Sequence, residues 1–250
     1  MNKQFASSEC PVLAQGNGVT KNDDLVFDTL ILSDVHLGSD ISRSNELFGL
    51  LSRSNFKKLI LLGDIFADLN FKRLSYDHWQ VLNYILRLPH ERQVEVVWIE
   101  GNHDLGLSEV FSQLFGIRVH HEYSWLQNGK QHIALHGHQF DRFVYENPGL
   151  SRILSAISLL IEKIDTSSKV VTRTIHRLVH TFQKITPKVA LGASRMAQER
   201  NAHIVFCGHT HEALHIPFEN VDYYNTGSWV SSPSTYVGIN SDGIRLLTHH

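Results

Sequence analysis

Short apolar runs alternate with amphipathic stretches along most of the chain. Leu30-Ile31-Leu32 reads as a buried strand, Leu59-Ile60-Leu61-Leu62 as a second, and the run from Val94 to Ile99 as a third. Between them, residues 41–51 and 74–88 carry helical spacing, the latter through Leu74, Val81, Leu82 and Ile85. Apolar β runs alternating with helices predict an α/β domain whose mainly parallel sheet has both faces covered. After Phe115 the pattern changes. Asn128-Gly129 marks a hairpin turn between residues 123–126 and 132–135. Further short strands follow residue 202, and Asp242-Gly243 marks another hairpin.

Two segments stand apart. Residues 1–26 form a polar leader, expected to be poorly ordered, ahead of a domain over 27–250. Residues 141–200 hold ten basic side chains against five acidic ones, so this block is cationic within a chain of net charge −2. Leu150, Ile153, Leu154, Ile157, Ile161 and Ile164 fall at helical spacing, as do Val171, Ile175, Leu178, Phe182 and Ile185. This predicts two helices inserted as a cap over the main domain.

Composition narrows the classes. With 250 residues, 42% of them hydrophobic, the chain can bury a core in one large domain, and disorder is excluded. Basic and acidic residues nearly balance, 23 against 25, so nothing global favours nucleic acid as a partner. The two cysteines, Cys10 and Cys207, form no CxxC pair, so neither a zinc thiolate site nor a disulfide framework is expected, which fits a reducing compartment. Residues 1–20 lack the apolar stretch of a secretory signal, and no run is long enough to span a membrane. A cytoplasmic location is expected. Seventeen histidines direct attention to metal or acid–base chemistry.

Five polar clusters follow directly on apolar runs: Asp34-Val35-His36, Gly63-Asp64, Gly101-Asn102-His103-Asp104, His136-Gly137-His138 and Gly208-His209-Thr210-His211. Loops beyond the carboxyl ends of parallel strands form the binding crevice of open α/β sheets, so all five are expected at one edge of one sheet. Asp34, Asp64, Asn102, His36, His136, His209 and His211 supply two carboxylates, an amide oxygen and four imidazoles. Such a mixed set suits divalent manganese, iron or zinc. Seven ligands exceed the needs of one ion; they suit two ions that share a carboxylate, roughly 3.5–4 Å apart.

In order and spacing these clusters resemble the calcineurin-like metallophosphoesterases, over about residues 28–240. The resemblance implies a four-layer αββα sandwich. It implies a first metal held by Asp34, His36, Asp64 and His211, and a second by Asp64, Asn102, His136 and His209, with manganese ahead of iron, zinc or magnesium. It implies attack on phosphorus by a hydroxide shared between the ions, with His103 as general acid oriented by Asp104. Asp104 also reads as a helix N-cap for the segment after it.

Three stretches are similar to the UDP-2,3-diacylglucosamine hydrolases: 33–38, 62–66 and Tyr224-Asn225-Thr226-Gly227-Ser228-Trp229-Val230. The best-known members carry Arg in place of His103 and Asp in place of His138. That resemblance implies a lipid-linked nucleotide as phosphoester substrate, enclosed by the cap. Asn102, Arg173 and Arg177 would contact it, and the basic block would meet an anionic membrane on its cytoplasmic side. A soluble nucleotide phosphodiesterase or phosphoprotein phosphatase on the same site, and a non-catalytic scaffold, are the competing expectations.

Overall fold

The structure, a computed structural model, describes residues 25–141 and 185–250. The expected leader up to residue 24, the cap stretch 142–184, and with it Arg173 and Arg177, lie outside the described residues.

The described residues open with β1 (Leu25–Leu32), α1 (Ser44–Arg53), β2 (Ser54–Leu62), α2 (Tyr76–Glu91), β3 (Glu95–Ile99), α3 (Ser108–Phe115) and β4 (Val119–His120). It continues with β5 (Glu122–Gln127), β6 (Lys130–Leu135), α4 (Ile185–Glu199), β7 (Ile204–Cys207), β8 (Leu214–Phe218), β9 (Val221–Asn225), β10 (Ser234–Asn240) and β11 (Gly243–His249). Capping sets the start of α2. Ser75 Oγ accepts the His78 N–H at 3.3 Å, while His78 Nδ1 accepts the Ser75 N–H at 3.2 Å. Asn128 and Gly129 both take positive φ, as the tight turn joining β5 and β6 requires.

The strands form two sheets: β11-β10-β1-β2-β3-β4 and β5-β6-β7-β9-β8. The expectation of a single sheet is corrected here, while the sandwich implied by the resemblance is what forms. Period-two alternation explains the layering. Leu30, Leu32, Leu59 and Leu61 turn outward into a core shared with α1, α2 and α3. Ile31, Ile60 and Leu62 turn inward onto Ala134, Ile204, Phe206 and Tyr224 of the second sheet. On that sheet's far side Ile133, Leu135, Val205, Cys207 and Tyr223 pack on Val189, Ala193 and Ala197 of α4. Three cores between four layers make an αββα sandwich.

α4 falls within the stretch read as a cap, yet it forms the fourth layer. Its buried face, Ile185, Val189, Ala190, Ala193 and Ala197, is what covers the second sheet. Likewise β1 begins at Leu25, two residues inside the expected leader. No helix among the described residues is long and apolar enough to cross a membrane.

Candidate metal centre

β1, β2 and β3 run parallel in one sheet; β6, β7 and β9 run parallel in the other. The five polar clusters leave the carboxyl ends of β1, β2, β3, β6 and β7. The ladder between β1 and β2 continues past the strands, because Asp34 N–H donates to Gly63 O at 3.1 Å and His36 N–H to Asp64 O at 3.1 Å. The sheets are tied together at the same point. His209 N–H donates to Asp34 Oδ2 at 3.0 Å, and Trp229 N–H to Asp34 O at 3.0 Å.

The backbone here is strained. Asp34, His36, Asp64, His209 and His211 all have positive φ, between 51° and 68°. Non-glycine residues adopt this region rarely, and five of them gathered at one place persist only because the surrounding contacts hold them. Glycine is needed beside them: a Cβ on Gly101 would fall on the Asp64 carboxylate and backbone nitrogen, and one on Gly208 would strike Asp34 Oδ2 and Ser33 Oγ.

Two groups of donor atoms result, each within 4.8 Å of one another: Asp34, His36 and His211, and Asp64, His136 and His209. Asp64 also groups with His36 and His103, so it stands between the two. In the first group His36 Nε2 and His211 Nε2 are 3.2 Å apart, and Asp34 Oδ1 lies 3.1 Å from His211 Nε2. In the second, His136 Nε2 is 3.3 Å from Asp64 Oδ2 and 3.2 Å from Asn102 Oδ1. Every side chain of both groups is buried or nearly so.

The electrostatics fit cation binding. Burial alone would raise the pKa of Asp34, but the charge and hydrogen bond of His211, with His136 beyond, draw it down to about 2. Burial opposes ionisation of Asp64 too, yet His136 and His103 hold its carboxyl well below the usual range. Burial pushes His36 and His209 down and keeps their lone pairs free. Burial also acts against the charge on His136, but Asp64 holds its pKa up at about 9, so a proton stands where a cation would sit. Ionised carboxylates and imidazoles at hydrogen-bond separations match the donor set of divalent transition ions.

His103 lies beside this set. Its Nδ1–H donates to Ala67 O at 2.7 Å, which turns Nε2 toward Asp64 Oδ2, 3.8 Å away. The expected orientation of His103 by Asp104 is corrected. The Asp104 carboxylate instead accepts the N–H groups of Ile65 at 3.0 Å and Phe66 at 2.9 Å. It therefore clamps the loop that follows Asp64. It does not cap α3, whose N-cap is Leu107. Burial and the neighbouring Asp64 charge push Asp104 up to about 7.

His138 sits half-buried, its ring 5.5 Å from that of His136 and 6.4 Å from that of His209, and burial drives its pKa down to about 3. Arg43 faces away from this chemistry: its guanidinium pairs with Glu46 and donates to Ser234 Oγ. Two supporting residues were given no role in the site by sequence reasoning. Asp141 Oδ2 accepts from His209 Nε2 at 3.1 Å. Buried Asn225 donates to Gly208 O at 2.6 Å and Thr210 Oγ1 at 3.1 Å, holding the turn that carries His209 and His211. The only sequence signal for Asp141 is an acidic residue in a short turn after the fourth cluster.

A comparison with known families matches residues 27–213 to the calcineurin-like phosphoesterases. The chain belongs to the calcineurin-like phosphoesterase family. No curated protein matches it. Among solved structures it is similar to an archaeal phosphodiesterase, at 14% identity and TM-score 0.47, over 88% of this chain and 98% of that one. It is also similar to the phosphoesterase Yfce from E. coli, at 17% identity and TM-score 0.49, over 86% and 90%. Vacuolar protein sorting 29 from Cryptosporidium parvum is a further match, at 10% identity and TM-score 0.45, over 88% and 95%.

Proposed function

We propose that the chain is a phosphohydrolase with two divalent ions, and that it cleaves the pyrophosphate of a lipid-linked nucleotide of the UDP-2,3-diacylglucosamine kind. The observation that carries the hydrolytic reading is Asp64: it stands within 4.8 Å of donor atoms in both ligand groups. Asp34, His36, Asp64 and His211 would hold one ion; Asp64, Asn102, His136 and His209 would hold the other. Ions so held, manganese first among them, would neutralise phosphoryl charge and lower the pKa of an attacking water.

The side chains do the rest. Ala67 O fixes His103 with Nε2 toward the site, where it would hold the proton given to the leaving oxygen. The Asn102 amide, next to His136, would orient a phosphoryl oxygen by its remaining donor capacity. The Asp104 clamp keeps Asp64 in its left-handed conformation, so that its oxygens face both groups.

The substrate assignment draws support from the similarity of residues 33–38, 62–66 and 224–230 to the diacylglucosamine hydrolases. On this reading Arg173 and Arg177 contact the anionic part of the substrate or an anionic membrane surface. The test is UMP release from UDP-2,3-diacylglucosamine with Mn²⁺, with His36→Ala as blank. Release by the wild type alone supports the whole reading. Cleavage of an aryl phosphodiester without UMP release keeps the hydrolase and removes the lipid-linked substrate.

A further inference from the structure

Two imidazoles beside the second group of ligands, His136 and His103, have Nδ1 tied to a backbone carbonyl. His136 Nδ1 meets Leu62 O at 2.8 Å, which leaves Nε2 for the site. His103 Nδ1 meets Ala67 O at 2.7 Å, with the same result. His209 differs in both respects. Its tied nitrogen is Nε2, and its partner is a carboxylate, Asp141 Oδ2, at 3.1 Å. Both side chains are buried, at 8% and 6% exposure, so water competes weakly for this bond.

The ring geometry then leaves one atom for the site. Asp64, His136 and His209 each bring a donor atom within 4.8 Å of the others, and Asp141 is not a member of that group. Since His209 Nε2 is engaged by Asp141, the nitrogen left to face Asp64 and His136 is Nδ1. A carboxylate accepts more strongly than a backbone carbonyl and makes the opposite nitrogen a better donor to a metal.

The placement of Asp141 is built into the fold. It ends the 3₁₀ turn His138–Phe140, with its own N–H donating to His138 O at 3.0 Å. Phe140 of that turn lies against Gly192 of α4, where a Cβ would overlap the ring. The fourth layer therefore sets the position of the carboxylate.

We propose that Asp141 is a positioning residue that holds His209 as its Nε2–H tautomer and so presents Nδ1 to the second ion. The assignment rests on the two-ion reading, but its first test does not. Full-length protein labelled with ¹⁵N-histidine and stripped with chelator is studied by long-range ¹H–¹⁵N correlation, with the His209 signals assigned by their loss in His209→Gln. The wild type is expected to show the Nε2–H tautomer at His209. Asp141→Leu, which offers no acceptor, is expected to lose that signature. Calorimetry with Mn²⁺ alone should then show the second ion weakened about 10- to 100-fold, with the first unchanged. Asp141→Asn keeps an acceptor oxygen and should restore the tautomer and part of the affinity.

An Nδ1–H tautomer in the wild type overturns the proposal, and it does so even if Asp141→Leu fails to fold. Unchanged binding of both ions by a folded Asp141→Leu overturns it as well. A wild type with the Nε2–H tautomer that binds fewer than two ions overturns the two-ion reading instead, and leaves Asp141 as the residue that sets the ring.

Discussion

Removing the Asp104 carboxylate separates two roles for a buried acid beside His103. The carboxylate accepts two backbone N–H groups, those of Ile65 and Phe66, and it is fully buried. In Asp104→Ala both donors lose their partner where water cannot replace it. Each orphaned donor costs about 1–3 kcal/mol, so the pair costs about 2–6 kcal/mol. For a domain of this size 1 kcal/mol shifts the melting temperature by about 2–4 °C, which puts the expected drop at roughly 5–20 °C. Asp104→Asn keeps one acceptor oxygen and should fall about halfway. The assay is thermal denaturation of the chelator-stripped protein by circular dichroism, with turnover of an aryl phosphodiester measured beside it. Asp104→Ala melting with the wild type, together with a large loss of turnover, would refute the clamp and return Asp104 to orienting His103.

Three further outcomes follow from the same geometry. Asp64→Asn preserves shape, tolerates positive φ and keeps an oxygen for the His103 N–H, bonded at 2.8 Å, so it should fold; it should bind fewer than two ions by metal analysis and lose roughly three orders of magnitude in turnover. Gly101→Ala drives a methyl into Asp64 and should cost about 1–3 kcal/mol or more in urea denaturation, whereas Gly116→Ala, with φ +66° and open space around it, should cost about 1 kcal/mol from backbone strain alone. Burial pushes the Cys207 thiol up, so in a Cys10→Ser background a disulfide reagent at pH 8 should react with it only as fast as the protein unfolds; rapid labelling of that native variant would place Cys207 outside the core.

The strands and the first two helices were legible because Leu30–Leu32, Leu59–Leu62 and residues 74–88 keep clear periods between polar breaks. The second sheet was not. Leu30 and Leu32 face helices while Ile31 faces a sheet, and all three are equally apolar. Hydrophobicity reports that a face is covered, not what covers it. For the same reason Ile185 read as the end of a cap helix, although it begins the helix that forms the fourth layer. The metal-centre residues stood out because each cluster packs its chemistry directly after a strand, four of the five with a glycine among them. Asp104 and Asp141 act through partners 38 to 68 positions away, and no local pattern announces such a contact.

The left-handed backbone at Asp34, His36, Asp64, His209 and His211 has a consequence for how this chain can change. Glycine at any of the five would relax a local backbone cost of roughly 1 kcal/mol. At Asp34 and Asp64 the same change would orphan the N–H groups of His209 and His103, each worth about 1–3 kcal/mol, so the strained residue remains the more stable one there. The rim therefore resists drift: the contacts that hold these side chains in a strained backbone also make their loss destabilising to the sandwich.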